Sequence, residues 1–175
     1  METIANKLTI ELANISDLTA LQRIEQECDA YFLFDPPCED NHSCTIQECL
    51  EKGDLPAGGK KENYFFCNIR QNDAIIGFLA YYLGYEQSDT AYLSVLYVQE
   101  QFRKLGIGSE ILNILEQMLK ASNIKHILLH VSLRNAVALC FWVKHGYNHI
   151  LEVECTGNLY PENFGGIKLR KTISS

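Results

Sequence analysis

The residues best suited to chemistry form the segment Arg103-Lys104-Leu105-Gly106-Ile107-Gly108. It lies between an apolar run, Leu93 to Val98, and a helical pattern from Ser109 to Ser122. The first turn of a helix presents backbone N–H groups without intrahelical partners at the positive end of the helix dipole, and glycines let an anion approach them closely. Arg103 and Lys104 add positive charge beside that turn. The segment therefore predicts a phosphate-binding site.

Two better-known glycine loops do not match this segment. A dinucleotide-binding loop has a third glycine where this chain has Ile111, and a nucleotide-triphosphate loop continues with Lys-Ser or Lys-Thr where this chain has Ser109-Glu110. On the segment alone, an ordinary strand-to-helix turn remains an equal alternative.

A second strand and helix follow about thirty residues later in the sequence. An apolar run, Ile127 to Val131, precedes the segment Asn135 to Tyr147. Asn135 is a suitable N-cap and Gly146 a suitable stop signal, and the residues between them place an apolar face on one side of the helix. That face carries Ala138, Phe141, Trp142 and His145.

Together, the two units resemble the signatures of the Gcn5-related N-acetyltransferase (GNAT) superfamily. The first signature, Gln/Arg-x-x-Gly-x-Gly/Ala, is matched by Arg103, Gly106 and Gly108. The second has a tyrosine where this chain has Trp142 and is otherwise matched by Asn135, Ala138, Phe141, Gly146 and Tyr147.

The resemblance implies an α/β fold with a mixed, mostly antiparallel central sheet flanked by helices. Its fourth and fifth strands splay apart, and the pantetheine of acetyl-CoA, the implied co-substrate, lies in the gap. The residues implied to bind acetyl-CoA are Leu96, Tyr97 and Val98 on the fourth strand, Arg103, Lys104, Leu105, Gly106, Ile107, Gly108 and Ser109 at the pyrophosphate, and Asn135, Ala138, Phe141 and Trp142 in the second unit.

The hydrophobic pattern along the chain agrees with one domain over residues 1–175. Two helices, near residues 14–24 and 45–52, follow a first strand, and a three-stranded antiparallel meander precedes the two units. The predicted strands are Leu8 to Leu12, Tyr64 to Arg70, Ala74 to Leu83, Thr90 to Val98, Lys125 to Val131, Tyr147 to Glu154 and Ile167 to Ile173.

The catalytic groups depart from the resemblance at two positions. Tyr92 stands where many members carry a glutamate base, and Trp142 replaces the tyrosine that protonates the leaving thiolate. His130, on the fifth strand, is the candidate base because imidazole titrates near neutrality, with a purely structural histidine as the alternative. Cys140, Tyr147 or solvent could serve as the acid, and Tyr147 packing in the core is the alternative for that residue.

The acceptor is predicted to be a cationic amine. The stretch Ile24 to Glu51 has no Lys or Arg and eight carboxylates, and aromatic side chains accompany it. Carboxylates and aromatic faces attract cations, although a solvated acidic surface is the alternative. The predicted acceptor-binding residues are Tyr31, Phe34, Tyr85 and Glu86, and a small polyamine, an aminoglycoside-like drug or a protein amine would each fit.

The composition also argues against several other classes of protein. A net charge of −7 without a basic stripe opposes nucleic-acid binding, and no apolar run is long enough to span a membrane. With no leader pattern and seven irregularly spaced cysteines, we expect a cytoplasmic protein with free thiols. The cluster of Cys38, His42, Cys44 and Cys49 lacks Cys-x-x-Cys spacing, so no metal is expected.

Three questions stay open at this level. The favoured activity is direct transfer of acetyl to a small cationic amine, and a protein N-terminal or lysine acetyltransferase is the alternative within the same chemistry. A catalytically weak acyl-CoA-binding regulatory module is the alternative outside it. A homodimer is possible, and the sequence does not fix the oligomeric state.

Overall fold

The computed structural model describes residues 7–28, 44–155 and 165–173. They form seven strands and four helices in the order expected from the sequence, with short 3-10 turns between them. The elements are β1 (Leu8–Leu12), α1 (Leu18–Cys28), α2 (Ile46–Glu51), β2 (Tyr64–Gln71), β3 (Ala74–Leu83), β4 (Thr90–Val98), α3 (Ile107–Ala121), β5 (His126–Ser132), α4 (Ala136–Lys144), β6 (His149–Cys155) and β7 (Gly165–Thr172).

Capping residues fix where the first two helices begin. The Asn14 side chain accepts a hydrogen bond from the backbone N–H of Ser16, and a single 3-10 turn then leads into α1. At α2, the Thr45 hydroxyl accepts from the N–H of Glu48, whose carboxylate accepts from the N–H of Thr45. Each pair satisfies N–H groups that the helix leaves without partners. The predicted helix starts near residues 14 and 45 therefore coincide with capping residues.

The strands form one sheet in the order β1-β2-β3-β4-β5-β7-β6. All neighbours are antiparallel except β4 and β5, which are parallel. β4 and β5 pair only from Thr90 to Tyr92 on one side and His126 to Leu128 on the other. Beyond these residues the two strands diverge, which confirms the predicted splay. β7 lies between β5 and β6, so residues on those three strands become neighbours.

A bulge in β4 adds curvature close to the point of divergence. Ala80 pairs with Val95 and Tyr81 with Leu93, which leaves Ser94 as the extra residue. The Ser94 hydroxyl donates to the carbonyl of Ala80 at 3.1 Å. A bulge increases the local twist and re-aims side chains, and it does so here at the end of the paired region.

The sheet separates two apolar clusters. One contains Ile111 and Leu115 of α3 together with Trp142 of α4, and the other contains Leu21 of α1 and Ile46 of α2. Alternation along β3 supplies both clusters, because successive strand residues point to opposite faces. Each fully buried leucine or isoleucine contributes about 2 kcal/mol relative to exposure. The α3 cluster holds the start of that helix, and therefore the glycine turn, against the sheet.

None of the helices within the described residues has the length and apolar character needed to cross a bilayer.

Candidate active site

A cavity of about 620 Å³ fills the space between the diverging ends of β4 and β5. Its walls come from β4, the turn before α3, β5 and α4. The volume lies in the range typical of sites for small molecules and cofactors. The splay of the sheet therefore creates this cavity.

The glycine turn opens onto this cavity. Gly106 has φ +83°, a left-handed conformation that favours glycine, and no atom lies within 4 Å of where its Cβ would be. The Gly108 Cα faces the Phe141 ring, with Cε2 3.4 Å from the position of a Cβ. The amides of the first turn of α3 are thus open to an anion from one side and closely backed by α4 on the other. This geometry suits a diphosphate.

Arg103 does more than supply charge beside the turn. Its Nε donates to the carbonyl of Val98 at 2.8 Å, and its guanidinium lies 4.9 Å from the centre of the Tyr97 ring. These contacts hold the turn against the end of β4. Lys104 and Lys144 also line the cavity and bring positive charge to it.

The free edge of β4 carries backbone groups that face the cavity. The N–H of Gln99 donates to the carbonyl of Ile76 on the β3 side at 2.9 Å. Because backbone groups alternate sides along a strand, the N–H groups of Val98 and Leu96 point toward β5, which has already diverged. An extended ligand arm can bond to these groups as an added strand would.

Residues of α4 form the opposite wall. The Asn135 side chain accepts from the N–H of Ala138 at 3.0 Å, so it caps the helix as predicted. Ala138, Phe141 and the largely buried Trp142 follow on the cavity side. The Trp142 ring also contacts the Tyr147 ring edge-on, with centroids 5.2 Å apart. Trp142 therefore joins the cavity wall to the core.

His130 lies on β5 and lines the same cavity. Its ring covers Gly166 of β7, where a Cβ would lie 2.0 Å from Nε2. The Nε2 atom is 3.6 Å from a carboxylate oxygen of Glu154 on β6. Only the strand order β5-β7-β6 brings these three residues together.

The structure does not bring Tyr147 and Cys140 to the cavity as candidate acids. Tyr147 is fully buried, its hydroxyl donates to Glu116 at 3.3 Å, and burial raises the pKa of its phenol well above the ordinary value. Cys140 is exposed, and it is absent from the cavity wall. Tyr147 thus takes the core position that was its alternative, and an acid role for either side chain has no geometric support.

A second cavity, of about 190 Å³, lies on the other side of Ser94. Ser94 lines both cavities, so the bulge in β4 stands where they approach each other. The rings of Tyr85 and Tyr92 have centroids 4.6 Å apart, and burial raises the pKa of Tyr92 to about 12. The residues lining this cavity are Asp54, Leu55, Pro56, Tyr82, Tyr85, Tyr92 and Ser94.

Glu86 is placed differently from its neighbour Tyr85. It forms an ion pair with Lys168, whose ammonium lies 5.2 Å from the centre of the Tyr85 ring. Burial tends to lower the pKa of Lys168, but the hydrogen bond that its ammonium donates to Glu86 outweighs burial and holds this pKa above its ordinary value. Glu86 pairs with Lys168 and is not part of the wall of the second cavity. The carboxylate in that wall belongs to Asp54.

The structure brings most of the predicted cofactor residues to the larger cavity. Three of them lie elsewhere: Tyr97 packs on Phe78 on the opposite face of the sheet, Ile107 lies in the core, and Leu105 is exposed. Their side chains do not line the cavity. The predicted residues that do are Leu96, Val98, Arg103, Lys104, Gly106, Gly108, Ser109, Asn135, Ala138, Phe141 and Trp142.

Several predictions concern residues outside the described part of the chain, namely Tyr31, Phe34, Cys38 and His42. Within residues 7–28, 44–155 and 165–173, no group of three or more His, Cys, Asp or Glu side chains could hold a metal ion. Burial raises the pKa of the Cys49 thiol to about 12, which keeps it protonated.

Sequence reasoning missed Ser94, Asp54 and Gly166. No periodicity marks a bulge residue, and the contact of Gly166 with His130 depends on the order of three strands. Asp54 could have been noticed as a carboxylate in the connector before β2, next to Leu55 and Pro56.

Comparison with known proteins places this geometry in a family. The family model described as "Acetyltransferase (GNAT) family" matches residues 19–147. No curated protein sequence matches the chain significantly.

Solved structures agree on the fold. The chain is similar to the ribosomal-protein-S18-alanine N-acetyltransferase from Escherichia coli, at 22% identity and a TM-score of 0.67, with 97% of this chain and 96% of that chain covered. It is also similar to an N-acetyltransferase from Thermoplasma acidophilum in complex with coenzyme A, at 21% identity and a TM-score of 0.62, with 95% and 99% covered. The chain belongs to the acetyltransferase (GNAT) family, whose members use acetyl-CoA.

Proposed function

We propose that this protein transfers the acetyl group of acetyl-CoA directly to a primary amine of a cationic small molecule, with both substrates bound at once. The observation that carries the proposal is the approach of two cavities at Ser94. The larger one has the shape and charge for the co-substrate, and the smaller one has aromatic walls and a carboxylate.

On the donor side, the chain supplies positions rather than covalent chemistry. Acetyl-CoA brings an activated thioester, so the residues need only hold it in place. The first-turn amides of α3, with Lys104 and Lys144, suit the pyrophosphate, and the N–H groups of Leu96 and Val98 suit the pantetheine arm. The thioester end of acetyl-CoA then lies toward Ser94, away from the glycine turn at residues 103–108, which is called the phosphate turn below.

On the acceptor side, Asp54 and the tyrosines favour a cation. The Asp54 carboxylate attracts an ammonium group, and the Tyr92 ring can stabilise it through cation–π contact, since Lys168 already lies over the ring of Tyr85. A volume of 190 Å³ has room for about six water-sized groups, which suits a small amine or the end of a longer one. The net charge of −7 attracts cations from solution.

Transfer requires the ammonium to lose a proton before it attacks. His130 is the proposed base, because its ring lines the donor cavity and is positioned by Gly166 and Glu154. Tyr92 stays a neutral phenol at physiological pH and can donate a hydrogen bond without accepting the proton. Solvent protonates the leaving thiolate in this account, since the described cavity wall contains neither Tyr147 nor Cys140.

A thiol-release assay with a panel of acceptors tests the proposal. The panel pairs small primary amines with hydroxyl analogues of the same size, and it includes short peptides with free N-termini or lysines. We expect release of coenzyme A with cationic small amines and none with their hydroxyl analogues.

Two results would contradict the assignment. Release with peptides alone would move the acceptor to a protein amine. Thermal stabilisation by coenzyme A without release for any amine would indicate a binding module that lacks catalysis.

A further inference from the structure

A hydrogen-bonded chain behind the phosphate turn links the end of α4 to the start of α3. The Nε2 atom of His145 lies 2.8 Å from the hydroxyl of Ser109, and its Nδ1 lies 2.7 Å from the carbonyl of Phe141. Ser109 is the third residue of α3 and lines the larger cavity, whereas His145 is not part of its wall. His145 therefore contacts the phosphate turn only through Ser109.

The carbonyl of Phe141 fixes the tautomer of His145. A carbonyl oxygen only accepts, so Nδ1 carries the proton. In the neutral ring Nε2 then has only a lone pair, and the hydroxyl of Ser109 must donate its proton to it. The lone pairs of that hydroxyl are left to face the cavity, which is unfavourable for an anion.

Protonation of the ring reverses the second bond. The imidazolium donates from both nitrogens, so Ser109 becomes an acceptor toward His145 and its own proton is free to point into the cavity. The hydroxyl can then donate to a phosphate oxygen, and the new positive charge lies directly behind it. The last carbonyls of α4 lie next to the ring and favour the same cation.

We propose that His145 is a positioning residue that couples proton uptake to the binding of the coenzyme A pyrophosphate, by reversing the hydrogen bond of Ser109. The inference rests on the proposed acetyl-CoA site and adds a control of its affinity. The two helix ends that the chain of bonds connects carry three charged residues, Lys104 and Glu110 at the start of α3 and Lys144 at the end of α4.

Calorimetric titration with dephospho-coenzyme A separates this effect from titration of the ligand. The full coenzyme has a phosphate monoester that titrates near pH 6, whereas the dephospho form keeps only the pyrophosphate diester. We expect affinity about ten-fold tighter at about pH 5.5 than at about pH 7.5, with net proton uptake on binding.

Two variants test the chain of bonds, and a third serves as the matched control. Ser109→Ala keeps the imidazole and its charge but removes the reversible hydroxyl, so most of the pH dependence of its affinity should be lost. His145→Gln removes the titratable ring, so it should bind with nearly the same affinity at the two pH values. His149→Gln removes an exposed histidine of β6 that lies outside the cavity wall, and it should keep the wild-type dependence.

A pH-independent affinity in the wild type would overturn the proposal, as would a full pH dependence in Ser109→Ala. Absence of binding at every pH would overturn the acetyl-CoA site itself and the coupling with it.

Discussion

Gly166→Ala tests how the sheet positions the candidate base. Gly166 lies in β7, and its added Cβ would be 1.9 Å from Cε1 and 2.0 Å from Nε2 of His130. Carbon atoms prefer separations of about 3.5 to 4 Å, so the ring must move by about 1.5 Å or more. The ring is the end of a side chain that is about one third exposed, so it can move without disturbing the core.

The size of the effect follows from this displacement. A misplacement of about 1 Å in a catalytic group costs on the order of 100-fold, and general base catalysis as a whole contributes about 10² to 10⁴. We expect kcat to fall about 100-fold while the KM for acetyl-CoA changes little, since the phosphate turn lies far along the cavity. Alanine is at least as favourable as glycine within a strand, so the melting temperature should not fall.

The assay is steady-state thiol release for Gly166→Ala, His130→Gln and the double variant. If alanine acts by moving His130, the double variant has the activity of His130→Gln alone, because the two changes remove the same contribution. Full activity in Gly166→Ala would refute the reasoning. Losses that multiply in the double variant would show that Gly166 acts on something other than His130.

The remaining predictions concern the acceptor cavity and the buried charges. Asp54→Asn should raise the KM for a cationic amine about five-fold, the effect of losing a partly exposed ion pair, and an unchanged KM would exclude Asp54 from recognition. Tyr92 is held neutral by burial with a pKa of about 12, against about 10 unfolded, so its contribution to stability is complete below about pH 10 and is lost as the pH rises to 12. Denaturation across that range should show wild type losing roughly 2 kcal/mol more than Tyr92→Phe, and equal slopes would contradict it. Glu116→Gln should lower the free energy of unfolding by about 2 kcal/mol, because the partly buried Lys171 loses its charge-assisted hydrogen bonds to the carboxylate. Glu62→Gln, at an exposed pair, is the control with no expected change, and equal midpoints for the two variants would refute the argument.

Local signals were sufficient to predict the elements and the glycine turn before α3. The capping box at Thr45 and Glu48, the cap at Asn135 and the glycines before α3 act within a few residues, so sequence spacing alone determines them. The starts of α2, α3 and α4 were correct to within about two residues, the usual uncertainty of helix ends, whereas α1 begins at Leu18, after the 3-10 turn that Asn14 caps.

Contacts between distant strands could not be predicted in the same way. The place of β7 between β5 and β6 puts Gly166 under His130, and the bulge puts Ser94 in the walls of both cavities. Both depend on pairing register across the sheet, which local pattern does not specify. Core packing of Tyr147 could be predicted from its place after α4. Its hydrogen bond to Glu116, 31 residues away in the chain, could be found only in the structure.

The role given to Glu86 shows a further limit. Sequence proximity grouped it with Tyr85, but its carboxylate is bound to Lys168, which is 82 residues away in the chain. Asp54, from a different connector, lines the second cavity instead. A carboxylate can be assigned to a binding site only when it is known whether a nearby cation already pairs with it.

Initial-velocity kinetics, with mass analysis of the product, tests the central claim most directly. Two cavities that meet at Ser94 allow acetyl-CoA and the amine to bind together, so reciprocal plots at several fixed amine concentrations should intersect and the amine should gain one acetyl group. Parallel lines, together with an acetylated form of the protein itself, would show a covalent intermediate and contradict direct transfer.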